Sequence, residues 1–244
     1  MRQFTKYINE PTELLLKQLA ENNTTPDTYR VTMNKLGHEL SVIIARKVEA
    51  FSDKTVCIAC TVEDADFLAK GIIDGLLENN TPEDQIRLAC FWNESIIPFE
   101  DEGLNLHIAP ILKQYKEPFD LDDSILVVVK SIISGACVVK TNLSNLIEKA
   151  KPQKVFVVSP VMYKGAEDRL AAEFDKAISD QFEYLTFAID DEKSENGKDV
   201  VPGIGGSVYA RLGLKDGSQK NSYVPEIVKS RRRVYFASPS KVLA

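Results

Sequence analysis

A stretch of small residues between an apolar run and a helical pattern is the part of the sequence best suited to bind an anion. Ile125–Val129 is a β-branched run typical of a buried strand, and apolar residues recur at helical spacing from Val139 onward. The residues between them include Lys130, Ser131, Ser134, Gly135, Ala136, Cys137 and Val138. A strand, a small-residue loop and a helix N-terminus can hold phosphate through free N–H groups and the helix dipole. An ordinary strand–helix turn has the same composition.

Three other segments, taken with this one in their order and spacing along the chain, make up a larger pattern. Residues 55–80 read as a strand and a helix, residues 88–94 as a second strand, and residues 187–214 contain the turn Pro202-Gly203-Ile204-Gly205. Together with residues 124–150, they make the chain resemble the uracil phosphoribosyltransferase family over about residues 28–214. The resemblance implies a type I phosphoribosyltransferase-like α/β fold, with a mainly parallel sheet flanked by helices and a hood or loop insertion.

The resemblance also implies roles for individual positions. Phosphate- and ribose-loop equivalents are Lys130, Ser131, Ser134, Gly135, Ala136, Cys137 and Val138. Pyrophosphate-loop equivalents are Glu63, Asp64 and Ala65, and the mobile loop would start at Trp92 and Asn93. Base-site equivalents are Val201, Pro202, Gly203, Ile204, Gly205, Gly206 and Tyr209.

Most of these positions lack the residue that the family uses. Lys130 replaces the carboxylate that holds the ribose, Gly135 replaces the loop threonine, and Trp92 falls where the family has an arginine. Glu63 and Asp64 would repel pyrophosphate by about a kcal/mol or more per close pair near a surface. We therefore assign no catalytic residue. Lys130 would still add a positive charge for a simple phosphate on the loop.

These differences predict a catalytically degenerate uracil phosphoribosyltransferase-like protein that serves as a nucleotide- or phosphate-binding or scaffold subunit. Two alternatives stay open, an active enzyme that transfers phosphoribose to a pyrimidine base and a nucleic-acid-binding regulator on the same fold. No cofactor or metal is expected, apart from Mg²⁺ if phosphoribosyl pyrophosphate is bound. We expect a homodimer or hetero-oligomer. Its candidate contacts are Tyr29, Met33, Leu36, Phe67, Ile72 and Ile73, with Trp92 and Phe99 as anchors.

Composition excludes several other classes of protein. The chain has 244 residues and a formal net charge of −6, which argues against a general nucleic-acid binder. No apolar run approaches the ~20 residues that cross a bilayer. Cys57 and Cys60 match C-x-x-C, but positions three apart on a strand point to opposite faces. With Cys90 and Cys137 they read as reduced core thiols, so we expect a cytoplasmic protein.

The order of patterns predicts two helices followed by strand–helix units, with one phosphoribosyltransferase-like domain over residues 1–214. The N-terminal helices lie within residues 11–50, and the second opens at Thr25-Pro26-Asp27. Strands are predicted at Val56–Cys60, Ile86–Phe91, Ile125–Val129, Lys154–Val158 and Tyr184–Ile189, and helices at Asp66–Leu77, Val138–Lys149 and Gly165–Ile178. The resemblance implies that residues 93–123 correspond to the family's hood and mobile loop, and they include a helix-like piece at Leu106–Tyr115.

Several remaining polar residues have weaker functional interpretations. Residues 190–192 and Asp120, Asp122 and Asp123 are acidic clusters that could hold a divalent cation or simply face solvent. His38 reads as structural, and His107 lies in the hood. Residues 215–244 form a C-terminal tail whose basic cluster, Lys229–Arg233, is the one place where nucleic acid could bind.

Overall fold

The computed structural model describes residues 1–21, 23–94, 96, 100–101, 104–105, 108–120, 122–147 and 151–236. The strands are β1 (Arg2–Phe4), β2 (Thr55–Thr61), β3 (Ile86–Asn93), β4 (Glu100–Asp101), β5 (Leu104–Asn105), β6 (Ile111–Lys116), β7 (Ser124–Val129), β8 (Ile132–Ile133), β9 (Lys154–Tyr163), β10 (Phe182–Asp190), β11 (Glu192–Lys193) and β12 (Val200–Val201). The helices are α1 (Glu10–Ala20), α2 (Pro26–Val48), α3 (Val62–Asp64), α4 (Lys70–Glu78), α5 (Cys137–Ile147), α6 (Ala166–Ala171), α7 (Lys176–Ser179), α8 (Val208–Arg211), α9 (Gly217–Ser222) and α10 (Glu226–Phe236).

One sheet of eight strands organises the chain, in the order β1-β10-β9-β7-β2-β3-β6, with β8 beside β9. The five strands from β10 to β3 run parallel, and the edge strands β1 and β6 are antiparallel. This confirms the expected mainly parallel α/β fold. Each of the five predicted strands lies inside one of these parallel strands.

Helices cover both faces of the sheet and create two apolar cores. The first core includes residues of α1, α2 and α4, and the second includes residues of α5 and α6. Cys60 belongs to the first core and Cys57 to the second, as the alternation of a strand requires. Cys90 is buried, whereas Cys137 is half-buried at the start of α5. The two cores explain why β2, β7 and β9 are apolar on both faces.

The first two helices begin with side-chain caps. The Asn9 side chain accepts from the main-chain N–H of Thr12 at 2.8 Å, and Pro11 lies in the first turn of α1. Thr25 caps α2 in the same way, with Pro26 as its first residue. Proline suits the first turn because its missing N–H has no intrahelical partner there. The predicted start at Thr25-Pro26-Asp27 is therefore confirmed.

Close helix packing places two glycines at one contact. Gly37 on α2 and Gly71 on α4 each lie against the backbone of the other segment. A Cβ at Gly71 would come within 2.1 Å of the main-chain oxygen of Asn34, and a Cβ at Gly37 within 2.4 Å of that of Leu68. The contact brings α2 against α4 and the turn before it, which directly follow the acidic candidate residues Glu63 and Asp64.

Three predicted helices differ from the structure. Residues 111–116 form β6 instead of a helix, because β3 offers an open edge that pairs with it antiparallel. Gly165–Ile178 is two short helices, since the chain turns at Phe174 to place its ring edge-on against Phe182. The helix predicted from Asp66 begins with a π-helical turn, Ala65–Ala69. The predictions for His107, Phe99 and Lys149 concern residues outside the described set.

The expected contact residues of an oligomer are mostly interior. Tyr29, Met33, Leu36, Ile72 and Ile73 are buried in the first core of a single chain. Since side chains already packed inside one chain cannot contact another, the proposed contact surface was wrong at these positions. No helix in the described ranges is long and apolar enough to cross a membrane.

Candidate functional site

Three charged side chains meet at the carboxyl ends of β2 and β7. The Lys130 ammonium donates to Oε1 of Glu63 at 2.9 Å and lies 2.9 Å from Oδ2 of Asp64. It also donates to Oγ1 of Thr61 at 3.0 Å. β2 and β7 are parallel neighbours with Cys60 opposite Val129, so the residues that follow each strand emerge at the same edge. Glu63 and Lys130 therefore lie together at this edge of the sheet.

Asp64 is the most fully bonded member of this cluster. Its carboxylate accepts from the hydroxyl of Thr61 at 2.8 Å and from the main-chain N–H of Ser131 at 3.1 Å. The Ser131 hydroxyl donates to it as well. The residues equivalent to the pyrophosphate loop and to the start of the phosphate loop are thus held together by direct bonds. Ala65, the third pyrophosphate-loop equivalent, is buried at the start of the π-helical turn.

Attraction between opposite charges determines the direction in which the pKa values of Lys130 and Glu63 shift. Burial alone would lower the pKa of Lys130, but the carboxylates of Asp64 and Glu63 outweigh burial and raise the pKa above its ordinary value. Burial would likewise raise the pKa of Glu63, but Lys130 and Lys220 lower it. Glu63 and Lys130 are therefore both charged at neutral pH, although they are buried.

These bonds correct the expectation that Lys130 supplies a positive charge to a bound phosphate. An ammonium has three donors, and those of Lys130 are directed at Thr61, Glu63 and Asp64. A phosphate on the neighbouring loop would find the charge of Lys130 already balanced by two carboxylates. The same pairing changes the expected repulsion by Glu63 and Asp64, because their charge is partly neutralised inside the protein.

The small-residue loop lies ahead of α5 and is open. Ser134, Gly135 and Ala136 precede the helix, which begins with Cys137 and Val138. Gly135 is exposed, and a Cβ placed on it would meet no atom within 4 Å. The loop has the space that an anion needs, and its role in phosphate binding stays a prediction.

Trp92 and Asn93 end β3 beside the C-terminal part of the chain. The Trp92 indole N–H donates to the main-chain oxygen of Tyr223 at 2.8 Å. The Asn93 side chain exchanges hydrogen bonds with Asn142 and donates to the main-chain oxygen of Ala109. Both side chains are buried. The two positions that would start a mobile loop are therefore anchored in the fold.

Lys220 is a buried site residue that the sequence did not indicate. Its ammonium donates to the main-chain oxygen of Asn93 and to the hydroxyl of Tyr209, the latter at 3.3 Å, and its side chain is only 2% exposed. Burial lowers the pKa of Lys220, against the attraction of Glu63. Burial also raises the pKa of Tyr209, to about 12. Lys220 lies in a run of polar residues, a pattern that predicts a solvated loop.

The base-site equivalents form a tight turn fixed at a buried carboxylate. The Val201–Pro202 peptide is cis, and Gly203, Gly205 and Gly206 have positive φ. The main-chain N–H of Gly203 donates to Oδ2 of Asp190 at 2.8 Å, and Arg2 donates to both oxygens of that carboxylate. Ile204 is fully buried. A Cβ at Gly203 would lie 3.3 Å from Cδ1 of Ile132, so the turn adjoins β8.

The acidic clusters are engaged by cations or main-chain donors. Asp190 pairs with Arg2, and the N-terminal amine pairs with Asp191 and Glu192. Asp123 pairs with Lys54, and Asp122 accepts from the main-chain N–H of Lys151. Within the described ranges, no group of three or more His, Cys, Asp or Glu residues is placed to hold a metal ion. These acidic residues therefore have protein partners.

The C-terminal tail is part of the same fold as far as residue 236. Arg231 donates from Nε to Oε1 of Glu117 at 2.6 Å and from a terminal nitrogen to Oε2 at 2.9 Å. Asp66 accepts from the main-chain N–H groups of Glu226 and Ile227, which start α10. Arg231 from the basic cluster is thus committed to a structural ion pair.

Comparisons with known proteins show similarity of fold. No family model and no curated protein matches the chain. The structure is similar to that of the AQ2163 protein from Aquifex aeolicus, with a TM-score of 0.62, 14% identity, and coverage of 86% of this chain and 97% of that one. At that identity the likeness is one of fold.

Two enzymes also match at lower scores. Hypoxanthine-guanine phosphoribosyl transferase from L. donovani has a TM-score of 0.37 and 11% identity over 64% of this chain and 81% of its own. Adenine phosphoribosyltransferase from Thermoanaerobacter pseudethanolicus has a TM-score of 0.37 and 10% identity over 64% of this chain and 80% of its own.

Proposed function

We propose that the chain is a phosphoribosyltransferase-like protein, related to the uracil enzymes, that has lost phosphoribosyl transfer. The supporting observation is the buried cluster in which Lys130 is bonded to both Glu63 and Asp64. It occupies the positions where the resemblance places the ribose-binding acid and the pyrophosphate loop. The protein would act by binding a phosphate or nucleotide, or as a scaffold subunit of a homo- or hetero-oligomer.

The charge of the cluster opposes transfer. Enzymes that transfer charged groups rely on donors and cations that are arranged before the reaction. Here two carboxylates face one ammonium, so the cluster offers a leaving pyrophosphate no unpaired cation. Mg²⁺ would arrive with phosphoribosyl pyrophosphate, and Glu63 and Asp64 would have to leave Lys130 before they could bind it.

A binding role has support in the open loop before α5. Gly135 is exposed with free space around it, and α5 is an eleven-residue helix whose N-terminal amides favour an anion. A single phosphate needs neither the ribose acid nor the pyrophosphate clamp. The proposed ligand is therefore phosphate or a nucleoside monophosphate, seated at Gly135, Ala136, Cys137 and Val138.

Two measurements test the proposal. The first assays formation of uridine monophosphate from uracil and phosphoribosyl pyrophosphate with Mg²⁺, beside an active uracil phosphoribosyltransferase as control. We expect none, and turnover of about 1 per second or more would show that the chain is an enzyme. The second is calorimetry with phosphoribosyl pyrophosphate, uracil and uridine monophosphate, with and without Mg²⁺.

A matched pair of variants locates any bound phosphate. Gly135→Asp adds a carboxylate to the loop, and Gly197→Asp adds one at another glycine with free space around it. Binding of uridine monophosphate should fall at least tenfold in the first variant and stay unchanged in the second. Equal binding by both variants would place the phosphate elsewhere, and no binding by the wild type would leave the scaffold role as the proposed function.

A further inference from the structure

Residues 217–223, here called the strap, cross the carboxyl end of β3 and contact α3, which carries Glu63 and Asp64. Hydrogen bonds hold the strap at several points. Two tie it to the end of β3, from Lys220 to the main-chain oxygen of Asn93 and from the Trp92 indole to that of Tyr223. Further bonds join Lys113 to the main-chain oxygen of Asn221 at 3.0 Å, the Tyr223 hydroxyl to Asp66, and Lys220 to the hydroxyl of Tyr209.

The strap is attached mainly by polar contacts, and Tyr223 at its end is the strap side chain that packs against the first core. Residues 215–222, Lys-Asp-Gly-Ser-Gln-Lys-Asn-Ser, include no apolar side chain, and Lys220 is the one residue among them that is fully buried. Segments with few buried apolar contacts open at a lower free energy than the core they cover. Release of the Lys220 ammonium would therefore free most of the strap and disturb the first core only at its edge, where Trp92 lies.

An unpartnered oxygen of Glu63 favours opening of the strap. Its Oε2 atom is buried, and none of the described residues donates to it. An unpartnered buried acceptor destabilises the closed form, whereas opening would let water or the N–H of a ligand reach that oxygen. The charged or titratable groups that face Lys220 are Glu63, Lys130, Glu94 and Tyr209. Of these, the two carboxylates attract the ammonium and hold the strap closed.

We propose that the strap opens and closes over the Glu63–Asp64–Lys130 cluster and that Lys220 is the latch that keeps it closed. The proposal concerns access to the cluster and goes beyond the proposed function, since it holds whether the site binds phosphate or nothing. Closure buries Trp92 beneath Tyr223, and opening exposes it.

Trp92 is the only tryptophan in the chain and is 4% exposed, so its fluorescence reports directly on the strap. The test compares acrylamide quenching in the wild type, Lys220→Met and Lys113→Met. Lys113 is a matched control because its ammonium also bonds to the strap, at Asn221, but from an exposed position. We expect Lys220→Met to raise the quenching constant at least twofold, with unchanged circular dichroism. Lys113→Met should match the wild type.

Unchanged quenching in a folded Lys220→Met protein would overturn the proposal. If the Lys220→Met protein does not fold, hydrogen exchange of the wild type tests the proposal instead. Amides of residues 217–223 should exchange at least tenfold faster than those of β3 and with little dependence on denaturant. Exchange of the strap and β3 at one common rate would show that the strap unfolds only with the whole chain, and the proposal would then be wrong.

Discussion

The ammonium of Lys130 lies 2.9 Å from Oε1 of Glu63, and the two residues follow neighbouring parallel strands. In the sequence these positions looked like two separate losses, an acid replaced by a lysine and a pyrophosphate-loop position occupied by an acid. The structure shows one coupled arrangement, since each charge balances the other in a buried place. A buried charge persists only when it is paired and hydrogen-bonded, so neither residue is free to change alone.

The first prediction concerns removal of the lysine. Lys130→Met should lower the free energy of unfolding by about 3–5 kcal/mol, because it leaves Glu63 and Asp64 buried without their cation. Urea unfolding followed by circular dichroism measures this. Lys140→Met is the matched control, since Lys140 pairs with Glu173 at the surface, where a pair contributes under about 1 kcal/mol. Equal losses of unfolding free energy in Lys130→Met and Lys140→Met would contradict the larger contribution assigned to the buried Lys130.

The second prediction is a loss of stability in acid. The pKa of Glu63 is lowered in the folded protein from its ordinary value of 4.5, so the unfolded chain binds a proton more readily. This contribution to stability is complete above about pH 4.5 and is lost as pH falls through the lower, folded pKa. The urea midpoint of the wild type should therefore decrease as the pH is lowered through that range. The midpoint of Glu63→Gln should decrease less, and an equal pH dependence in the two proteins would contradict the role of Glu63.

The parts of the fold that follow local patterns were predictable. The apolar runs of β2, β3, β7, β9 and β10 are covered on both faces, and such strands have a clear signal. The start of α2 was visible in Thr25-Pro26-Asp27 because capping chemistry is local. The sequence does not predict β6, because the open edge of β3 determines it. It does not predict the turn at Phe174, because that turn depends on the ring of Phe182. No pattern within either segment records these distant partners.

The site was predictable only in part, for the same reason. Glu63, Asp64 and Lys130 were named from the resemblance, and their meeting follows from parallel strands that end at one edge. The sequence does not predict their mutual pairing, because Glu63 and Lys130 are 67 residues apart and the pairing depends on where each side chain is directed in the folded chain. Lys220 carried no signal, because a lysine among polar neighbours indicates an exposed loop. Its burial depends on the position of Asn93, more than a hundred residues earlier in the chain.

The third prediction tests the glycine contact between α2 and α4. Gly71→Ala would place a Cβ 2.1 Å from the main-chain oxygen of Asn34, and backbone cannot move aside as a side chain does. We expect the unfolding free energy to fall by about 2–4 kcal/mol, which equals or exceeds the usual loss on inserting extra atoms into a packed core. Gly135→Ala, with no atom within 4 Å, should change it by less than about 0.5 kcal/mol. Thermal unfolding of both variants distinguishes these outcomes.

The fourth prediction separates two neighbouring arginines of the basic cluster. Arg231→Met leaves the fully buried Glu117 carboxylate without its ion pair and should cost about 3–5 kcal/mol. Arg232→Met changes an exposed side chain and should cost less than about 0.5 kcal/mol. Both variants can also be titrated with a DNA duplex at low salt. Tight, salt-dependent binding by the wild type that Arg232→Met weakens would favour the nucleic-acid alternative.

The last prediction concerns self-association, which the proposed scaffold role requires. Most residues first expected at the contact are buried, but α1 leaves Leu14 59% exposed and α2 leaves Val31 55% exposed. Large exposed apolar side chains favour contact with another chain. We expect a dimer by light scattering over a hundredfold range of concentration. Leu14→Glu or Val31→Glu should shift it toward monomer, and Val224→Glu, at a comparably exposed valine near the strap, should not. A strict monomer at every concentration, with no partner captured from its native extract, would remove the support for a scaffold.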